Sequence, residues 1–154
     1  MIDIDLLNNY PKTIIKNDFH DSLIPAIENN IITLNNYDNI ELSVLISDNK
    51  YIKSLNKKYR KIDKATNILS FSNFEPENTE KNIYLGDIII SEEKIILEAK
   101  EQQKSFDAHL AHMFIHGFLH LLGYDHANKL EAAEMENLEI KILNDVNIKN
   151  PYYY

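Results

Sequence analysis

The chain has 154 residues, 44% hydrophobic and 26% charged, the balance of one soluble globular domain over residues 1–154 rather than of a disordered tail or a multidomain assembly. It contains no cysteine, which excludes a disulfide framework, a thiolate zinc finger and a cysteine nucleophile, fits a reducing cytoplasm, and leaves His, Asp and Glu to build any metal site. A formal net charge of −8 runs against a nucleic-acid partner for the chain as a whole, so only local segregation of charge can provide one.

Ile2, Ile4 and Leu6 alternate with Asp3 and Asp5, the period of a half-buried strand, and this acidic start is unlike a basic export or transit segment. From Pro11 to Asn35, apolar Ile15, Phe19, Leu23, Ile27, Ile31 and Leu34 recur at helical spacing and predict a helix that Pro25 kinks or divides. His20 stands alone in it and is expected at the surface. After an Asn-rich loop, Ile40–Ser47 reads as a second strand, and Asp48 or Asn49 is suited to cap a helix running to about Arg60. That helix carries Ile52, Leu55 and Tyr59 on one stripe. Lys53, Lys57, Lys58, Lys61 and Lys64 fall on another, so the acidic chain has a basic face.

Asn67–Phe71 and Gly86–Ile90 read as two more strands, joined by a polar loop from Ser72 to Asn82. Ser91 offers an N-cap for a helix to about Gln103, Ser105 or Asp107 another for a helix through Leu122, and Asn128 to about Val146 predicts a last helix. Pro151 and three tyrosines are expected as a loosely held tail. The run Ala108–Tyr124 has no Asp, Glu, Lys or Arg, but the four histidines inside it argue against a membrane span.

His116, His120 and His126 form H-x-x-x-H-x-x-x-x-x-H. Residues four apart share a helix face, so His116 and His120 can hold one ion from adjacent turns, while Gly123 can end the helix in a left-handed conformation and let His126 swing back. Three imidazoles leave a fourth position open, the mark of a catalytic rather than a structural site. His109 and His112 share the face and are expected in supporting or buried hydrogen-bonding roles. The pattern is similar to the zinc site of metzincin peptidases, except that Gly117 stands where those enzymes carry their glutamate base.

The whole run His116-Gly117-Phe118-Leu119-His120-Leu121-Leu122-Gly123-Tyr124-Asp125-His126 resembles the HGxLHLxGYDH signature of the YbeY endoribonuclease family. Leu55-Asn56-Lys57-Lys58-Tyr59-Arg60 with Asp63, then Thr66-Asn67-Ile68-Leu69-Ser70-Phe71, then Leu85-Gly86-Asp87-Ile88 and Glu131-Ala132-Ala133-Glu134-Met135 resemble further elements of that family in the same order, from about Val44 to Leu143. The resemblance implies a mixed α+β fold of zincin-like type, with a mixed four-stranded sheet, about five helices and a three-histidine metal site in a cleft. It implies a metal-dependent, single-strand-directed endoribonuclease acting in 3′-end maturation of small-subunit ribosomal RNA and in ribosome quality control. One divalent ion, zinc by preference, would sit on His116, His120 and His126, with His116 and Arg60 as catalytic residues. The expected partners are ribosomal RNA and small-subunit proteins in the cytoplasm, without a membrane or a nucleotide cofactor.

An arginine fork can pair with phosphate oxygens, and a Lewis-acidic ion can supply hydroxide, whether water or the ribose 2′-hydroxyl attacks. The lysines at 53, 57, 58, 61 and 64 would then form an electrostatic track for RNA. Tyr124 and Asp125 are expected to support the metal loop, with Asp87 a weaker candidate for the same role. Glu131, Glu134, Glu136 and Glu139 are expected to face away from RNA or toward a protein partner. The competing readings are a zinc peptidase-like hydrolase and a non-catalytic ribosome assembly factor with a structural metal.

Overall fold

Four strands, β1 (Ile2–Asn8), β2 (Asn39–Ser47), β3 (Ile68–Ser72) and β4 (Asn82–Ser91), form one sheet in the order β1-β2-β4-β3. β1 is parallel to β2 and β2 to β4, whereas β3 runs antiparallel to β4 as an edge strand. Parallel neighbours require a crossover. Between β1 and β2 it contains α1 (Leu23–Asn30) and a short 3₁₀ helix (Ile32–Asn36); between β2 and β4 it contains α2 (Asn49–Arg60) and β3. The helices α3 (Glu92–Glu101), α4 (Phe106–Leu121) and α5 (Lys129–Asp145) follow. The computed structural model describes residues 1–152.

Strand alternation sends residues to two faces. Val44, Ile46, Ile88 and Ile90 join Phe114, Ile115 and Phe118 of α4 in the main core, while Leu69 and Ile89 point the other way and pack with Ile52 and Leu55 of α2. The basic helix and the histidine helix therefore lie on opposite faces of the sheet. The uncharged run of α4 is buried in the core, and no helix among the described residues is long and apolar enough to cross a membrane.

Local signals set the helix starts. Asp48 accepts from the Tyr51 N–H, Ser91 from Lys94, Ser105 from Ala108 and Asn128 from Glu131, capping N–H groups that have no partner within the first turn. The long helix expected over 11–35 is not formed. Residues 9–22 are turns and irregular chain, and only Leu23–Asn30 is α-helical. The reason is long-range: the fully buried Glu92 accepts from Thr13 Oγ1 (2.9 Å), Ile14 N (2.6 Å) and Ile15 N (3.0 Å), pinning an irregular segment whose Ile15 still reaches the core. Pro25 sits in the first turn of α1, where a missing N–H costs nothing, so it produces no kink. His20 is buried rather than at the surface, its ring edge-on to Phe19.

Candidate metal centre

His116 and His120 occupy successive turns of α4, with ring centroids 4.6 Å apart. The helix then stops as the glycine spacing predicts. Gly123 takes φ 98°, its N–H donates to His120 O and the Tyr124 N–H donates to Leu119 O, the paired closure of a Schellman motif. The chain turns back and brings the His126 ring to 5.1 Å from His120 and 5.7 Å from His116. One nitrogen of each of the three rings lies within 4.8 Å of the others, so the group could hold a metal ion.

The opposite nitrogens explain why. His116 Nδ1 lies 2.7 Å from Glu139 Oε1, His120 Nδ1 lies 3.0 Å from the Tyr124 carbonyl and His126 Nδ1 lies 3.3 Å from Asp125 Oδ1. Carbonyl and carboxylate oxygens only accept here, which assigns the ring proton to each Nδ1 and leaves each Nε2 a bare lone pair. The Nε2 atoms of His116 and His120 face one another at 3.1 Å. Two lone pairs at that separation repel unless a cation lies between them, and the spacing is near the ~3.4 Å edge of a tetrahedron of imidazole ligands around zinc. The donor set thus fits a divalent ion with an open position.

Electrostatics keep the His120 ring in the form that can ligate. Burial, followed by the neighbouring His116, pushes His120 below the ordinary imidazole value. Burial alone would raise the Glu139 carboxyl, but His112, His116 and Tyr152 outweigh it and hold the group at about 2. Glu139 is thus an anion at 0% exposure, and it accepts from His116 rather than facing outward with the other acidic residues of α5. This was the residue that sequence reasoning missed. Its signal was present: Met135, Glu139, Ile142 and Leu143 share one buried helical stripe, and a carboxylate on an apolar stripe implies a buried partner.

His109 and His112 are buried hydrogen-bonding residues, His109 with Glu98 at 3.0 Å and His112 with Tyr152 at 3.2 Å. The tail expected to be loose is therefore fastened at Tyr152; Tyr153 and Tyr154 lie outside the described residues. Asp125 Oδ1 also accepts the His126 backbone N–H at 2.7 Å. Tyr124, Asp125, Glu131 and Glu134 line an open cavity of about 470 Å³ with Tyr37 and Phe74, beside the metal loop.

Other residues lie apart from this cluster. Asp87 is on the α2 face of the sheet, where it accepts from Tyr84, so it does not support the metal loop. Arg60 ends α2, its guanidinium 3.5 Å from Asn56 Oδ1. Lys53 and Lys57 lie 4.0 and 3.9 Å from Asp63, and the Lys58 ammonium sits 5.1 Å over the Tyr59 ring. Lys61 bonds back to Lys58 O, and Lys64 is exposed beyond the helix. Among the described residues no hydrogen bond or ion pair links Arg60 or these lysines to the histidines. Phe71 is half-buried against Tyr59 on the α2 side.

The family model described as Endoribonuclease YbeY matches residues 6–147. Relatives named Endoribonuclease YbeY include one from Francisella philomiragia, 49% identical over 120 residues and covering 76% of each chain. Another, from Ruthia magnifica, is 50% identical over 112 residues, 73% of this chain and 77% of that one. The solution structure of TM1509 from Thermotoga maritima superposes with a TM-score of 0.60 over 94% of this chain and 91% of that chain, at 21% identity, a likeness of fold.

Proposed function

The chain belongs to the endoribonuclease YbeY family, and from that premise we propose that it cleaves single-stranded RNA in a metal-dependent reaction, maturing the 3′ end of small-subunit ribosomal RNA and acting in ribosome quality control in the cytoplasm. The observation that carries the reading is the convergence of three histidine nitrogens whose opposite nitrogens all donate to fixed acceptors. His116, His120 and His126 would hold the ion, which we take to be zinc because three neutral imidazoles suit it. When bound, it supplies a Lewis acid for a phosphoryl oxygen and an acidified water.

The remaining work falls to the chain's own groups. Glu139 and Asp125 orient imidazoles, and burial of the Glu139 side keeps water from competing for its oxygens. Arg60 ends α2 on the face of the sheet away from the histidines, so in this reading its guanidinium fork meets the scissile phosphate only by reaching round the β3 edge; the buried Asn56 beside it limits its search. The lysines of α2 lie across the sheet from the histidines, so RNA guided by them has to pass around the β3 edge, where Ser70 and Ser72 tie the strand to α4 through the carbonyls of Gly117 and Leu121. Ribosomal RNA and small-subunit proteins are the partners in this reading.

The test is cleavage of a short single-stranded ribosomal-RNA fragment by wild-type protein beside His116→Ala purified identically. Cutting by wild type alone, abolished by chelator, is the expected result. Equal cutting by both would overturn the histidine site. A 2′-deoxy residue at the cut position reports the nucleophile, since cleavage persists there only if water attacks.

A further inference from the structure

We propose that Tyr152, beyond the last helix, is a positioning residue of the metal centre that acts through Glu139. This rests on the reading of His116, His120 and His126 as the metal-holding group. Tyr152 Oη lies 2.6 Å from Glu139 Oε2 and 3.2 Å from Oε1, and His112 Nε2 is 3.2 Å from the tyrosine oxygen and 3.6 Å from Glu139 Oε1. The hydroxyl has one proton, which goes to the carboxylate. His112 Nε2–H then donates to the phenol oxygen, consistent with its Nδ1, buried without a hydrogen-bond partner, being a bare lone pair. The network therefore runs from His112 to Tyr152 to Glu139 Oε2, and the other carboxylate oxygen, Oε1, accepts the proton of His116 Nδ1 at 2.7 Å.

Glu139 has no solvent to replace a lost donor, being 0% exposed. The tyrosine hydroxyl occupies Oε2 and leaves Oε1 for His116, which fixes both the carboxylate plane and the tautomer presenting Nε2 to the ion. The segment is built to deliver the hydroxyl. Asn147, at φ 63°, turns the chain after α5; Ile148 N donates to Leu143 O; Pro151 is buried; and Asn150 Oδ1 accepts from Tyr152 N at 2.8 Å. The ring itself packs edge-on against His112 at 5.4 Å.

The experiment compares zinc affinity, by competition with a chromophoric chelator, in the full-length wild type, Tyr152→Phe, Glu139→Gln and the double variant. Phenylalanine keeps the ring against His112 and removes one oxygen. The expected result is zinc binding about tenfold weaker in Tyr152→Phe and about 10–100-fold weaker in Glu139→Gln, with the double variant no weaker than Glu139→Gln alone. Wild-type affinity in Tyr152→Phe, or losses that multiply in the double variant, would overturn the proposal. A merely structural tyrosine would lower the melting temperature and leave the affinity alone. Ring ¹⁵N shifts of metal-free protein add a metal-independent reading: His116 is expected as a single Nδ1–H tautomer in wild type and as a mixture in Tyr152→Phe, and an unchanged tautomer overturns the proposal. If wild type takes up no zinc, the histidine-site reading fails, and these shifts still decide the role of Tyr152.

Discussion

Gly117 shows at the scale of one residue why a peptidase base is absent. A Cβ there would lie 2.8 Å from Ile68 Cδ1 and 3.0 Å from Ser70 Oγ, so the position next to the first histidine faces β3 rather than the metal. Gly117→Ala should be nearly neutral, because the Ile68 methyl can rotate away and alanine gains about 1 kcal/mol of helix propensity. Gly117→Glu should lose about 3–5 kcal/mol by burying an unpaired charge. Urea unfolding of the two variants checks this, and a glutamate variant as stable as the alanine one would mean that the site is open. Glu139 makes a pH prediction at the same scale. Its carboxyl is held at about 2 against an ordinary 4.5, so the native state binds fewer protons than the unfolded one between those values. The stabilisation, on the order of 3 kcal/mol, is fully present above about pH 4.5 and is lost as pH falls toward 2. The gap in unfolding free energy between metal-free wild type and Glu139→Gln should therefore shrink over that interval; a constant gap would contradict the assignment.

Among the elements, α2 carries the electrostatic prediction. Exposed pairs such as Lys53–Asp63 and Lys57–Asp63 contribute little to stability, so replacing Lys57, Lys58 and Lys61 by alanine should leave the fold intact. If each neutralises a phosphate, the slope of log affinity for single-stranded RNA against log salt should fall by about 2. An unchanged slope would take α2 out of the RNA path. The same helix also marks a limit of sequence reading. Its amphipathic stripe, its cap and its basic face were all legible, because they depend on residues within a few turns of each other. The sheet face on which it packs was not, since that follows from the direction in which Leu69 and Ile89 point. The segment over 11–22 departs from its helical spacing for a related reason: the N–H groups of Ile14 and Ile15 are taken by Glu92, which is distant in sequence.

For the whole molecule, the core formed by the sheet, α4 and α5 is continuous and contains large fully buried side chains such as Phe114 and Phe118. Such a core needs no ion to fold, unlike a zinc finger. Chelated protein should keep its far-UV circular dichroism and lose RNA cleavage, and zinc at about 1,000 times its Kd should add about 4 kcal/mol, raising the melting temperature by roughly 8–16 °C. Unfolding on chelation would instead identify a structural metal. The sequence alone determined the local half of the centre: two histidines one turn apart, a glycine that ends the helix and a third histidine returned by the turn, all set by backbone geometry over eleven residues. Only the tertiary structure decided what holds the first imidazole, His116, that is, Glu139 from α5 with Tyr152 against it. A helical period tells which residues share a face. It does not tell which face meets another helix, because that choice is made by packing among residues far apart in the chain.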